Sequence, residues 1–529
     1  MASRRDELNA YTFARKRMVG AFLQPNGGGN DEDAPRPVRA VLPSVVVAAV
    51  AVAGFGMWGV IKPAAPLHWD EGKNIIQGKQ STTRYVLLPE GEGANRHMVL
   101  HQVLNMSSAR LVLPAGAQVQ IVADDVLDKY QWRGPTIGIP YAPDKLPKEA
   151  DAGQAKTWSV CDRPGTDANT QATINQAVFV AAAKEAATLA DPKLRLGDGQ
   201  VLFVKGPKDG KVDGGRYLVD GRGVRHSVGT EGTAVTKPSL VTALFGDGAQ
   251  PQEVTDEWLR TLENGNPITF PVVKDFDGKV QPSTVGLTKT EDKRVGRLLK
   301  FQNDAYYVVG KDMLFQITPF QAELMRLNPA LAPIYNGATP SYGDLTPQDR
   351  NTLQSKIDKS MMTAEATKDW PTEKSPAVNI GAKGSRSVVC SSFDGIENGV
   401  VKRSVWAHTD YPVTVSSGSA SAHVTPGHGL LFRAVDGQGQ DSSGSDFLIT
   451  ETGLRYSLPA NGDGGQAAPA GGASPAPQAQ TQEKKEANES QARLGYKNVS
   501  PVQVPLAWAR LVPAGPVLDT NAAIQAQNA

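Results

Sequence analysis

Residues 40–61, AVLPSVVVAAVAVAGFGMWGVI, hold no Asp, Glu, Lys, Arg, Asn or Gln. A helix of roughly 20 such residues crosses the hydrocarbon core of a bilayer, because it satisfies its own backbone polar groups and its side chains partition into lipid. Pro43 falls near the start, where a missing N–H costs little. Trp58 falls near the far end, at the level of an interfacial aromatic belt. A cleaved signal peptide is the alternative. Against it, 39 residues precede the run, the run is longer than a usual signal core, and no Ala-x-Ala follows it directly. A single uncleaved anchor is therefore expected.

Arg4, Arg5, Arg15, Lys16, Arg17, Arg36 and Arg39 precede this run, whereas Lys62 and Lys73 follow it closely. Basic flanks stay on the cytoplasmic side, so residues 1–39 are expected inside and residues 62–529 outside the membrane. The chain has 529 residues and a formal net charge of +1, so the exported part can bury a large core and no strong field argues for nucleic acid. Only two cysteines occur, Cys161 and Cys390, both on the expected outer side. Outside the reducing cytosol a lone pair is expected to form a disulfide, with two buried free thiols as the alternative. Neither belongs to a CxxC, which argues against redox catalysis and zinc.

Before the anchor, residues 4–23 (RRDELNAYTFARKRMVGAFL) have helical period. Leu8, Tyr11, Met18, Val19 and Phe22 fall on one broad face, with Arg5, Lys16 and Arg17 away from it and Arg15 intruding. Such a basic amphipathic helix lies on anionic lipid or docks on a partner; a solvated helix that only sets topology is the alternative. Residues 26–37 are rich in Gly, Asp and Pro and read as a hinge.

Beyond the anchor the chain repeats itself. Tyr217-Leu-Val-Asp-Gly-Arg-Gly223-Val-Arg-His-Ser-Val228 matches Phe447-Leu-Ile-Thr-Glu-Thr-Gly453-Leu-Arg-Tyr-Ser-Leu458 without a gap, each a strand, a turn with glycine and a second strand. Ala243–Gly246 then corresponds to Ala492–Gly495, short helices with a capping glycine. Trp258, Arg260 and Gly265 correspond to Trp508, Arg510 and Gly515 at the same spacing. The extra length of the later copy falls in NGDGGQAAPAGGASPAPQAQTQ, so residues 461–490 read as a flexible loop inserted into a repeat. A third copy runs from Tyr306 to Ile317 and is followed by the capping box Thr318-Pro319-Phe-Gln321. A fourth, weaker copy comes first, Tyr85-Val-Leu and Val99–Val103. The repeats are expected at about 80–115, 200–268, 300–330 and 445–518.

The stretches between them (about 140–185, 268–298 and 375–436) contain both cysteines and β-like strings such as TWSVC and GLLFRAV. They are expected to form a central β core. Residues 348–362, entered through Thr346-Pro347, read as the clearest longer helix. The expected class is thus α+β and β-rich, with one short amphipathic helix, one transmembrane helix and four hairpin-plus-helix repeats around that core.

Catalytic signatures are missing from the string. There is no GxxxxGK[ST], GxGxxG or GxSxG, and Gly206-Pro-Lys-Asp-Gly210-Lys211 lacks both a spacer and the hydroxyl that a phosphate loop places on magnesium. His408, His423 and His428 lack metal-ligand spacing, and Asp275-Phe-Asp277-Gly278 lacks the closing Glu of a calcium loop. No catalytic, cofactor-binding or metal residue is therefore assigned.

The opening ASRRDELNAYTFARKRMVGAFLQ, the single apolar run, the hairpins GVRHSV and GLRYSL and the Trp–Gly segments together resemble the EccB family, the membrane-anchored core component of the type VII (ESX) secretion system. The resemblance covers essentially the whole chain. It implies a cytoplasmic helix, one span, an extracytoplasmic domain of four repeats with one disulfide, assembly with EccC (the motor ATPase), EccD and EccE, and self-contact outside the membrane. Members of the family often carry an ATPase label; with no phosphate loop here, ATP is expected only as a label. A structural subunit of a secretion machine is the leading expectation, with an anchored cell-wall-binding module as the alternative.

Overall fold

The fold is described from a computed structural model covering residues 3–23, 37–61, 65–166, 169–197, 199–207, 214–229, 238–302, 305–381, 386–415, 422–436, 444–459 and 488–527, without the side chains of 37–40, 42, 56, 58–61 and 94. The expected hinge before Pro37, the Lys208–Val212 part of the phosphate-loop lookalike and residues 461–487 of the expected inserted loop lie outside this set. The chain is a mixed α+β, strand-rich structure of two bodies: Met1–Trp69, Gly78–Ser81 and Gln120–Tyr130 make one, and the rest makes the other.

In the first body, α1 spans Arg4–Leu23. Its start is fixed reciprocally. The Asp6 and Glu7 amides donate to the Ser3 carbonyl (2.7 and 3.3 Å), and the Ser3 amide donates to Asp6 Oδ2 (3.2 Å). Asp6 and Glu7 also suit the positive end of the helix. The second helix, α2, spans Pro37–Ile61 and contains Pro43. Val45, Val47, Val50, Val52 and Phe55 are all exposed. Among the described residues, no helix is long and apolar enough to cross a membrane. At the expected anchor the fold therefore supplies a helix, begun earlier at Pro37 with Arg39 in its first turn, but no demonstrated span.

One strand order recurs in the second body. Val201–Lys205, Arg216–Asp220 and Val224–Ser227 form an antiparallel meander, and the short strands Gln252–Glu253 and Glu263–Asn264 add in parallel on its two outer edges. Leu298–Phe301, Ala305–Val309 and Leu314–Ile317 are extended likewise by Gly343–Asp344 and Ile357–Asp358. Leu430–Val435, Ser445–Ile449 and Arg455–Leu458 gain Val502–Pro505 on one edge and a parallel bridge, Arg455 to Ala514, on the other. At the N-terminal end, Arg84–Glu90 pairs antiparallel with His97–Gln102, and Leu100 and Val103 bridge in parallel to Arg133 and Ile137.

The Val201 and Leu298 sheets begin at their expected bounds, whereas the last sheet begins one strand before the expected 445. Leu430–Val435, expected in the central core, is the first strand of the last sheet, pairing Phe432 with Phe447. Its apolar run fits either place, and only the partner strand decides. The helix expected over 348–362 is also broken. Pro347–Thr352 is helical, but Ile357–Asp358 leaves to pair with Leu314–Phe315. Sheet pairing at a buried edge there overrides local helix preference.

The central sheet has the order Val400–His408, Val388–Glu397, Thr157–Thr166, Ala172–Ala181, His423–Val424. Residues 268–298 give it no strand among the described residues, contrary to expectation. Side chains alternate across it. Trp158, Val160, Val389, Phe393 and Val405 face one large cluster, which also holds Leu202, Val204 and Trp258 from the Val201 sheet and Phe432, Val504 and Trp508 from the Leu430 sheet. Cys161, Cys390, Phe179, Val388 and Trp406 form a smaller cluster apart from it. The Leu430 sheet in turn shares a cluster with Val86 and Val103 of the N-terminal sheet and Leu111 of the helix Met106–Val112 (through Leu431, Leu448 and Tyr456), and the Val201 sheet shares one with Phe320 and Leu324 of the helix Pro319–Arg326 that follows the third sheet.

Candidate membrane and assembly elements

The residues expected to matter fall into three places. The first is α1. Leu8, Tyr11, Met18 and Phe22 are 68%, 69%, 70% and 88% exposed, so the stripe is available in this fold and covers nothing. Arg15, Lys16 and Arg17 are exposed as well. Phe13, which the stripe omits, is 58% exposed. It sits about 140° round the helix from Leu8 at 3.6 residues per turn, so α1 presents apolar groups on two sides.

The second place is the disulfide. Cys161 and Cys390 lie opposite each other in register on Thr157–Thr166 and Val388–Glu397, and their sulfurs are bonded across a sequence separation of 229. Both are fully buried. The bond therefore joins the two hairpins of the central sheet rather than fastening a surface loop.

The third place comprises the expected repeat landmarks, where two sheets make matching local contacts. Gly223 and Gly453 adopt φ of 79° and 75°, and their amides donate to Asp220 and Thr450 carbonyls at 3.1 and 3.0 Å. Only glycine takes that left-handed turn without strain. Arg225 stacks over Tyr217 at 5.3 Å and Arg455 over Phe447 at 5.0 Å, aligned pairs in the two copies. Trp258 and Trp508 are both buried in the cluster on the central sheet. The amides of Gly265 and Gly515 donate to the Arg225 and Arg455 carbonyls, at 2.9 and 2.8 Å. Each glycine lies flat against an aromatic ring: a Cβ there would meet His226 Cε1 or Tyr456 Cε1 at 2.5 Å. Gly134 meets His101 in the same way, with its amide on the Leu100 carbonyl, a third instance that the sequence comparison missed.

These contacts give a direct expectation. Gly265→Ala or Gly515→Ala should cost about 1–3 kcal/mol by overpacking against a buried ring. Gly197→Ala, where a Cβ meets nothing within 4 Å, should be close to neutral in the same urea titration.

Trp258 is held by hydrogen bonds as well as packing. Thr255 caps its helix, accepting from the Trp258 amide (3.1 Å) and donating to Asp162 Oδ2 (2.8 Å), while the Thr255 amide donates to the same oxygen (2.7 Å). Burial raises the Asp162 carboxyl above the ordinary range, against the hydrogen bonds from Thr255 and Gln176. A second carboxylate, Asp151, ties the short helix Glu149–Ala152 to the start of the Leu430 sheet. It accepts from Lys156 Nζ (2.8 Å), His428 Nδ1 (2.7 Å) and the Gly429 amide (2.9 Å). Burial pushes Asp151 up, but these donors outweigh it and hold the carboxyl below the ordinary carboxylate range. A depressed folded value stabilises above the unfolded value and loses that contribution as pH falls through the folded one. The difference in unfolding midpoint between wild type and Asp151→Asn should therefore be full at pH 7 and close as the pH falls through the lowered Asp151 value.

Of the histidines weighed for metal, His423 Nε2 meets Glu185 (3.0 Å) and His428 meets Asp151, so they serve separate carboxylates. Among the described residues no group of three or more His, Cys, Asp or Glu is placed to hold a metal ion. A cleft of about 1070 Å³ opens between Pro164–Gly165, Ala172–Ile174, Leu244–Glu253 and Lys374–Gly381. Its charged lining residues are Asp247, Glu253 and Lys374. Asn379 in its wall is occupied by the Phe203 backbone and Gln252.

An N-terminal basic helix, an apolar helix and a strand-rich body built from recurring three-stranded sheets define a class of large body carried behind a short helical N-terminus. The family model for type VII secretion system ESX-1, transport TM domain B, matches residues 1–529, and the chain belongs to this EccB family. Among similar proteins, the ESX-3 secretion system ATPase EccB3 of Mycolicibacterium smegmatis is 26% identical over 479 residues, 86% of this chain and 82% of that one. The ESX-1 secretion system ATPase EccB1 of Mycobacterium tuberculosis is 25% identical over 327 residues. The matched region spans 61% of the length of that relative and 61% of this chain. Among solved structures, the intact ESX-5 inner membrane complex contains a similar chain at TM-score 0.57 and 19% identity, covering 100% of this chain and 96% of that one. The EccB3 dimer from the ESX-3 core complex is similar at TM-score 0.57 and 21% identity, covering 86% and 100%. At these identities the likeness to solved structures is one of fold.

Proposed function

We propose that this chain is a structural membrane subunit of a type VII secretion machine, linking a cytoplasmic motor to an extracytoplasmic assembly. The observation that carries the proposal is the family match over residues 1–529 together with the placement of α2. In this reading α2 crosses the bilayer once. Its 25 residues reach about 37 Å at 1.5 Å per residue, against a hydrocarbon core of about 30 Å. The basic residues before it favour a cytoplasmic N-terminus, with residues 62–529 outside. On the cytoplasmic side α1 meets lipid or the motor EccC; outside, the exported sheets act as four copies of one module around the disulfide-linked central sheet, contacting EccD, EccE or further copies of this chain. The fold likeness to an EccB3 dimer supports self-association through that part.

A second reading comes from the word ATPase in the names of the relatives. One purification tests both. In a solubilised membrane complex, native mass spectrometry should find this chain with the motor subunit and at least one further copy of itself. The chain purified without the motor should turn over no ATP above background. A chain that migrates alone and binds purified peptidoglycan would replace the proposal with the cell-wall reading. ATP turnover that survives loss of residues 1–61 would replace it with the enzyme reading.

A further inference from the structure

We propose that the first body carries a foot that rests on the outer headgroup–acyl boundary of the bilayer, built from Leu67, Trp69 and Tyr130. This rests on the reading of α2 as a span. Pro66-Leu67-His68-Trp69 follows the end of α2 within eight residues, and His68 adopts φ 61°, which breaks the chain into a tight turn. Leu67 projects from that turn, 86% exposed. Trp69 lies edge-on to Tyr130, with ring centroids 5.6 Å apart at 70°. Ile121, 59% exposed, belongs to the same body.

Tether length and chemistry select the occupant. Six residues from Ile61 to Leu67 reach at most about 21 Å when fully extended. A spanning α2 already exceeds the hydrocarbon core by several ångströms, so Leu67 cannot leave the neighbourhood of the membrane surface. Trp69 and Tyr130 are partly buried, and Trp and Tyr, with an apolar body and a polar edge, are the side chains that settle at this depth. The charges of the body are mixed: Lys79 and Lys129 are exposed beside Asp125 and Asp128. Attraction to anionic headgroups is therefore not the driving term, and the contact should form on zwitterionic lipid and resist salt.

The test uses the full chain in phosphatidylcholine nanodiscs. The two native cysteines are bonded and buried, so an introduced third cysteine labels selectively. A fluorophore on Leu67→Cys should be quenched at least two-fold by acyl-chain doxyl-phosphatidylcholine and shielded from aqueous iodide. One on Val400→Cys, on the central sheet, should show the reverse. Adding Trp69→Ala to Leu67→Cys should restore iodide access, which excludes burial driven by the dye alone. Leu67 as open to iodide as Val400, with a Val47→Cys label in α2 quenched by lipid, overturns the foot and leaves the span intact. A Val47 label untouched by lipid overturns the span itself. Shielding of Leu67 without lipid quenching assigns the surface to a protein partner and also overturns the proposal.

Discussion

Replacing both Cys161 and Cys390 by alanine should lower the urea midpoint of the folded chain, with a stability loss of about 2–5 kcal/mol. The bond closes a loop across a separation of 229, for which the chain-entropy account gives on the order of 5 kcal/mol. The loop contains the whole Val201 and Leu298 sheets, so the restraint acts on the unfolded chain far more than on native contacts. Trp158 and Trp406, both buried in the central sheet, should report the transition by fluorescence. Without denaturant the mutant should remain folded, because Phe179, Val388 and Trp406 still pack around the site. An unchanged midpoint would mean that the bond does not restrain the unfolded ensemble. Two free thiols on non-reducing peptide mapping would mean that it does not form.

The second large effect is expected at α1. Tyr11→Ala with Phe22→Ala should leave insertion and orientation intact, because those depend on the charges, yet lower recovery of the motor subunit EccC with this chain. Burying one aromatic side chain contributes about 1.5–3 kcal/mol, so losing two should weaken a docked contact at least tenfold. Removing Arg15, Lys16 and Arg17 together should instead disturb orientation or lipid contact. Phe13 supplies an internal comparison, since it is exposed on the other side of the helix. Phe13→Ala should have little effect if the Leu8 stripe is the docking face. Equal loss from Phe13→Ala would show that α1 is enclosed all round, and unchanged recovery in the double mutant would leave a solvated helix.

What could be read from the sequence depended on whether a residue's role was local. Gly223 and Gly453 mark turns that need positive φ, and Trp258 and Trp508 keep fixed spacing to a following glycine, so the second and last sheets were recognisable from one string laid on another. The reason for Gly265 and Gly515 was not legible, because it lies in a ring brought from about forty or more residues away. Leu430–Val435 and Ile357–Asp358 were misplaced for the same cause: each takes its structure from a partner strand, and neither carries a turn or cap that names that partner. The outer strands Gln252–Glu253 and Gly343–Asp344 are two residues long, too short for periodicity to register at all. For α1 and α2 the helices were readable from period and composition, whereas period and composition do not say what meets their exposed apolar side chains.

The register that sets Cys161 opposite Cys390 also imposes a timetable. Thr157–Thr166 can pair with Ala172–Ala181 as soon as both have been made, but its other edge has no occupant until Val388–Glu397 arrives. At about 5–20 residues per second, that interval is on the order of 10–50 s, during which an apolar strand edge stands open. Throughout it Cys161 is a lone thiol, and the meanders at Val201 and Leu298 must settle inside a loop whose ends have not met. Oxidation is thus a late event by necessity, and a catalyst that sealed Cys161 early could do so only to the wrong chain.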